Sequence, residues 1–298
     1  MTVRITVPRK GRPLEAVLER VAGRAGVESV ADEIISTLRY EKAVTKGEAT
    51  DDADVYERLA SYSDLSDPYA PEYTLLRDDR DGYPRRVVFD SLTVPVSDES
   101  FDLQLVGREE PFRALRTHSF GLGFDSADLI LEEVVSLREE GLETIAAVNE
   151  RIDPRDTDVR VVSGLGDTVH HTLLATPETL PPGATLDREF VAGYGGPLCI
   201  SPRYERLVEA VLGTGALDGV EFVYPDPGVE EEAAIAETGL GVYLTVTGST
   251  AREHGLVLGE TLFPSETVLM ENVAEMGGPA ERARSLLVDA DPETAIRV

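Results

Sequence analysis

Apolar and polar positions alternate at the start of the chain. Val3, Ile5 and Val7 are separated by Arg4 and Thr6, which predicts a strand ended by Pro8. Leu14, Val17, Leu18 and Val21 then recur at i, i+3, i+4, i+7, the spacing of a helix with one apolar face. Arg9-Lys10-Gly11-Arg12-Pro13 therefore links a first strand to a first helix, where open α/β sheets commonly hold ligands. A second amphipathic helix is expected from about Ser29 to Leu38. Between about 40 and 100 the periodicity weakens into an acidic stretch dotted with Tyr and with Pro68, Pro71, Pro84 and Pro95. Within it, the runs 73–76 and 85–89 flank Asp78-Asp-Arg-Asp-Gly82 as the arms of a hairpin would. The block reads as an insertion or a divergent lobe, since it holds too many Tyr, Val and Leu residues for disorder.

Further along, the pattern predicts a strand over 101–106, a helix carrying Phe112 and Leu115, and a helix over 128–135. Another helix and a strand ending at Val162 follow. Thr172-Leu-Leu-Ala-Thr-Pro177 reads as a crossing segment, and the Pro/Gly-rich piece from Pro181 to Gly183 as a boundary. Helices are expected over about 202–212, 230–236 and 280–288, and strands over 220–224, 260–264 and 267–270. This order predicts an α/β protein of two lobes with a ligand cleft between them. Lobe I would take 1–170 and 262–298, with the insertion, and lobe II would take 171–261.

One stretch of lobe II has the makings of a phosphate cradle. Val242, Leu244 and Val246 end a half-buried strand, Thr247-Gly248-Ser249-Thr250 turns the backbone, and Ala251-Arg252-Glu253-His254 opens a short helix. Gly248 lets main-chain N–H groups converge, the hydroxyls add donors, and Arg252 adds a guanidinium fork. Gly, Ser and Thr also fill most strand-to-helix turns as caps, so the residues alone fit either reading.

Charge narrows the partners. The chain of 298 residues has 28 Lys+Arg against 56 Asp+Glu, a net charge of −28, which argues against nucleic acid or an anionic membrane. The only lysines are Lys10, Lys42 and Lys46. An acidic, Lys-poor surface fits the cytoplasm of a salt-accumulating organism, where self-repulsion is screened. The single cysteine, Cys199, excludes an internal disulfide and a Cys-based zinc site. There is neither a basic-then-apolar leader nor an apolar run of membrane-spanning length, so a soluble cytoplasmic protein is expected.

Several segments, in order, resemble ATP phosphoribosyltransferase, the enzyme that opens histidine biosynthesis. Lys10-Gly11-Arg12 is similar to that family's proline-lysine-glycine-arginine opening, with Arg9 intruding after Pro8. Leu122-Gly123 followed by Asp128-Leu129 and Glu132 resembles its helix start, and Leu165-Gly166 with the run 173–177 resembles its crossover. Ser201, Arg203 and Tyr204 loosely resemble a threonine-lysine-tyrosine-proline turn. The best match runs from Thr247 through His254-Gly255-Leu256 to Pro264-Ser265-Glu266 and Val268-Leu269. The matches cover roughly two-thirds of the chain and leave out the block from 40 to 100. Members whose chains are long end in a regulatory ferredoxin-like domain, and with no room for one after Met276 this chain resembles the short catalytic core.

The resemblance implies two periplasmic-binding-protein-like lobes of type II and transfer of phosphoribosyl from 5-phosphoribosyl diphosphate to N1 of ATP, with inversion at ribose C1. It implies that Thr247, Gly248, Ser249, Thr250 and Arg252 hold the 5-phosphate. Lys10, Gly11, Arg12 and Asp128 would meet diphosphate or nucleotide, although a solvated basic loop and a helix cap, to which Asp125 also lends itself, are equally open readings. The family's acidic stretch into the threonine-glycine turn is departed from at Gly239 and Tyr243, where carboxylates would bind ribose hydroxyls or Mg²⁺. Glu231 and Glu237 are candidate substitutes for the metal, or else solvated helix-face residues. His170 and His171, adjacent on a strand, point to opposite faces and make a weak metal pair. His254 is placed to cap carbonyls or touch a phosphate. Two other functions stay open: transfer to another nitrogenous acceptor, and a non-catalytic protein binding a phosphorylated ligand, in either case with a homo-oligomer allowed.

An anionic substrate is repelled by a protein of charge −28 until salt shortens the Debye length, to roughly 3 Å at 1 M. Turnover is therefore expected to be highest in molar KCl with Mg²⁺. An assay across KCl and divalent concentration checks this, and a maximum at low salt without a divalent ion would contradict it.

Overall fold

A computed structural model describes residues 1–64, 66–77, 85–97, 99–226 and 228–288. In chain order the first elements are β1 (Thr2–Pro8), α1 (Gly11–Ala25), α2 (Glu28–Thr45), α3 (Val55–Tyr62), β2 (Glu72–Arg77) and β3 (Arg85–Pro95). Next come β4 (Asp102–Arg108), α4 (Pro111–Arg116), β5 (Leu122–Ser126), α5 (Ala127–Glu133), β6 (Val159–Gly164) and β7 (Val169–Ala175). The rest are α6 (Arg188–Ala192), β8 (Gly196–Cys199), α7 (Glu205–Leu212), β9 (Val220–Val223), α8 (Glu231–Thr238) and β10 (Leu240–Thr245), then α9 (Ser249–Glu253), β11 (Val257–Ser265), β12 (Thr267–Asn272) and α10 (Gly278–Leu287). None of the described helices is long and apolar enough to cross a membrane.

The chain is α/β and forms two compact units. The first holds Met1–Asp125, Asp158–Asp167 and the described residues from Thr267 to Val288. Its sheet has the order β2-β3-β4-β1-β5-β12-β6. β1 lies parallel to β4 and β5, which is why its Val3, Ile5, Val7 and even Thr6 are buried. The apolar stripe of α1, Leu14, Val17, Leu18 and Val21, is wholly within the core it shares with this sheet. The second unit holds Ser126–Thr157 and Thr168–Glu266. Its sheet has the order β11-β7-β10-β8-β9, with β7 antiparallel to both β10 and β11, and β8 parallel to β10 and β9.

These units differ from the expected lobes of 1–170 plus 262–298 and 171–261. Ser126–Thr157 belongs to the second unit, because α5 buries Ile130 and Leu131 and packs on α7 and β11. The crossings at 167/168 and 266/267 fall where strands end, and Pro181–Gly183 lies inside the second unit. A composition-based boundary signal marks surface loops, and here a loop and a crossing do not coincide. The helix expected before Val162 is two short 3₁₀ turns, Ile145–Ala147 and Asn149–Arg151. The turn at 78–82 lies outside the described residues, while its arms pair as β2 and β3.

The block from 40 to 100 is built into the first unit. Pairing of β3 with β4 adds an antiparallel edge to the parallel strands. α3 starts with a capping box in which Asp54 accepts from the N–H groups of Tyr56 and Glu57. It is tied to α2 by a buried ion pair. Glu41, 1% exposed, accepts from Arg58 Nε at 2.7 Å, Arg58 Nη2 at 3.1 Å and the Tyr62 hydroxyl at 2.8 Å. Removing one partner of such a pair leaves a buried charge without compensation. Arg58→Ala is expected to cost about 3–5 kcal/mol in denaturant unfolding, and the Glu41→Met/Arg58→Met pair much less. Equal losses in the two variants would contradict this account.

Candidate functional site

The Thr247–Thr250 turn joins a strand to a short helix, as the sequence pattern predicts. β10 ends at Thr245, whose hydroxyl meets that of Thr172 on β7 at 2.6 Å, and the backbone turns through Val246, Thr247 and Gly248 into α9. Gly248 takes φ +68°, and a Cβ there would stand 2.1 Å from Leu258 Cδ2. The left-handed backbone favours glycine, and a larger residue would also push the Leu258 side chain aside. No side chain caps α9. Thr247 Oγ1 instead lies 3.1 Å from Ser249 Oγ, and Arg252 Nη1 donates to the Thr247 carbonyl at 2.9 Å, so Arg252 buckles the turn. Among the described residues no protein acceptor takes the N–H of Thr250 or Ala251. Residues 244–251 line a pocket of about 180 Å³ with Thr247, Ser249 and Thr250 exposed.

One carboxylate lines this pocket, and it is Glu232. Glu231 meets Tyr243, whose hydroxyl pKa burial and the neighbouring glutamates push up to about 12. Glu237 is exposed on α8, and six residues of helix set it about 120° from Glu231, so the two do not converge. Among the described residues no three His, Cys, Asp or Glu side chains are grouped to hold a metal ion. Gly239 has φ +104°, a conformation that side-chain-bearing residues rarely adopt, so an aspartate at that position would be strained and would displace the Thr179 hydroxyl 2.6 Å from its Cβ. His254 Nε2 pairs with Glu230 at 3.4 Å.

Asp128 departs from its expected role. Ser126 caps α5 by accepting from the Asp128 N–H, which frees the Asp128 carboxylate to turn inward. Its Oδ2 accepts from Ser265 Oγ at 2.8 Å and its Oδ1 lies 3.2 Å from His171 Nε2. With both oxygens engaged, this buried carboxylate holds β7, β11 and α5 together and is not an exposed ligand for a nucleotide. The Tyr204 ring meets His171 edge-on at 4.9 Å, and His171 Nδ1 is buried with no partner among the described residues. Asp125, in the first unit, accepts from the Phe112 N–H at 3.0 Å and so serves α4. His170 and His171 are divided between the two faces of β7, His171 buried and His170 partly exposed.

In the first unit, Lys10, Gly11 and Arg12 line a second pocket at the start of α1. Lys10 Nζ lies 3.4 Å from Glu109, both partners near 40% exposed, a pair worth little in water. Arg12 Nη1 lies 3.3 Å from Asp167, which also accepts from Thr267 N and Oγ1. The intruding Arg9 is structural: its guanidinium bonds the Gly107 carbonyl and Asp90.

A family model described as "Halobacterial ATP phosphoribosyltransferase" matches residues 1–298. No curated protein matches the chain. Among solved structures, the ATP phosphoribosyl transferase (HisG:HisZ) complex from Thermotoga maritima is similar at 13% identity, over 96% of this chain and 94% of that one, with a TM-score of 0.40. YhfZ from Shigella flexneri is 13% identical over 63% of this chain and 72% of its own, with a TM-score of 0.38. The periplasmic VFT2 domain of BvgS from Bordetella pertussis is 13% identical over 63% and 68%, with a TM-score of 0.31. At these TM-scores the structural likenesses carry no argument, and the full-length match is what assigns the chain.

Glu132, near the Asp128 cluster, makes this region sensitive to pH. Burial raises its carboxyl pKa from 4.5 to about 7, against a hydrogen bond from the Leu207 N–H that lowers it. Between those values the folded state binds more protons than the unfolded one, so stability falls as pH rises from about 4.5 to about 7. Glu132→Gln keeps an acceptor for Leu207 and removes the charge. Its melting temperature is expected to exceed wild type by about 2–4 °C at pH 8, a gain on the order of 1 kcal/mol after solvent screening, and to match it at pH 4. A gain at pH 4 that vanishes at pH 8 would reverse the sign.

Proposed function

The chain belongs to the halobacterial ATP phosphoribosyltransferase family, and from that membership we propose that it transfers phosphoribosyl from 5-phosphoribosyl diphosphate to N1 of ATP. In this reading N1 forms a bond to ribose C1 as the C1–O bond breaks, diphosphate leaves with the bonding electrons, and the configuration at C1 inverts. The observation that carries it is the cradle: among the described residues, unused N–H groups at Thr250 and Ala251, exposed hydroxyls at Thr247, Ser249 and Thr250, and a glycine in the left-handed region. Such fixed dipoles bind a 5-phosphate without reorganising. Arg252 acts indirectly, by holding the Thr247 carbonyl. Glu232 is the carboxylate placed to accept from ribose hydroxyls, and Lys10 and Arg12 receive diphosphate or nucleotide phosphates.

Mg²⁺ fits this chain only through the substrate. Glu231 and Glu237 do not converge on a site, and Mg²⁺ is commonly held by one or two carboxylates together with substrate phosphates. The absence of a carboxylate at Gly239 and Tyr243 favours a second reading, in which the chain binds a phosphorylated ligand without turnover.

Calorimetric titration with 5-phosphoribosyl diphosphate, in roughly molar KCl with Mg²⁺, followed by a diphosphate-release assay with ATP, separates the two. The transferase reading expects a Kd on the order of micromolar and release of diphosphate. Thr250→Val removes one hydroxyl and is expected to weaken binding roughly 10–100-fold with an unchanged melting temperature. Gly248→Val, by contrast, is expected to strain the turn by about 1–3 kcal/mol as well as close the cradle. Binding without release would leave only the second reading, and no binding by folded protein would remove both.

A further inference from the structure

The pocket at the start of α1 collects more positive charge than its loop supplies. Besides Lys10 and Arg12 it is lined by Arg39 and Lys42 of α2 and by Arg86 of β3, with Glu15 as its one acidic member. Two of the three lysines of the chain therefore lie on one pocket of a protein whose net charge is −28. Arg39 and Lys42 are three residues apart, one above the other on the same helical face. Their like charges repel there, as does Arg86 across from them. Arg39 is held by Glu15 through bonds of 2.6 and 3.3 Å, but among the described residues neither Lys42 nor Arg86 has a carboxylate partner. Lys10, Arg12 and Arg39 have Glu109, Asp167 and Glu15 beside them, so it is the positive charge of Lys42 and Arg86 that is left for a bound anion to offset.

The shape of the pocket selects the anion. Leu38 and Val87 line it beside the charged residues, it measures about 260 Å³, and among the described residues no aromatic ring lines it. Pockets for whole drug-sized molecules run to roughly 300–1,000 Å³ and offer predominantly apolar or aromatic walls. This one suits a chain of phosphates and, among the described residues, offers no ring on which a base would stack. We infer that Lys42 and Arg86, with Lys10, Arg12 and Arg39, form a site for the oligophosphate chain of the nucleotide, separate from the 5-phosphate cradle.

The assignment rests on the transferase reading for the identity of the nucleotide, while the site itself is tested with inorganic tripolyphosphate. The full chain would be titrated calorimetrically at the lowest KCl that keeps it folded, alongside Lys42→Gln, the Lys42→Gln/Arg86→Gln pair and Arg113→Gln, which removes an exposed cation of α4 elsewhere in the unit. Wild type and Arg113→Gln are expected to bind one tripolyphosphate equally, Lys42→Gln several-fold more weakly, and the double variant at least tenfold more weakly. The double variant is expected to keep its affinity for 5-phosphoribosyl diphosphate and to raise KM for ATP. Equal binding by wild type and the double variant, or an equal loss in Arg113→Gln, overturns the site. If tripolyphosphate binds as expected and no diphosphate is released with ATP, the site stands and the transferase reading fails. If turnover is present and KM for ATP is unmoved in the double variant, the transferase stands and the site fails.

Discussion

The constraint behind both candidate sites is the net charge of −28. Under the proposed function a phosphate is bound against that charge in two physically different ways. In the second unit the cradle uses neutral donors, N–H groups and hydroxyls fixed by a left-handed glycine, whose short-range dipoles are little affected by the summed field. In the first unit five scarce cations from three segments are brought to one pocket, where their local potential opposes the acidic surround. In concentrated salt the long-range repulsion is lost within a few ångströms, so what remains is the local arrangement.

Each unit also places a carboxylate inside, and each solves its desolvation differently. Glu41 is paired with a cation and a phenol, which makes α3 and the edge strands integral to the first unit. Among the described residues Asp128 has no Lys or Arg paired with it. Ser265 and the His171 ring take that place, and His171 Nδ1 is left buried without a partner among the described residues. Such networks fix side-chain geometry at the cost of tolerance to substitution.

How much of this was legible in the sequence follows from the range of each interaction. β1, α1 and the Thr247–Thr250 turn are encoded by neighbours within a few residues, so alternation, helical spacing and a glycine reveal them. The pairing of Asp128 with partners 43 and 137 residues away leaves no local trace, and its place beside a helix start suggested a cap or an exposed ligand instead. Likewise, the run Glu230-Glu231-Glu232 gives no means of telling which member reaches the cradle, because the register of α8 against β10 decides it. The cations Arg39, Lys42 and Arg86 lie apart along the chain and come together only when α2 packs on β3. The crossings near 170 and 262 are expected within a few residues of where they fall, whereas those at 125/126 and 157/158 are not, because they lie at strand ends where composition does not change.

Cys199 has a consequence of its own. As the sole thiol of the chain it sits at the end of β8, 1% exposed, opposite Gly241 of the strand that leads to the cradle, and burial raises its pKa. Its side chain packs with Ala234 and Ile235 of α8, so a reagent reaches that sulfur only when this helical cover lifts from the sheet. The rate of alkylation of the unmodified protein therefore measures how often the layer beside the cradle opens, a local free energy distinct from that of global unfolding.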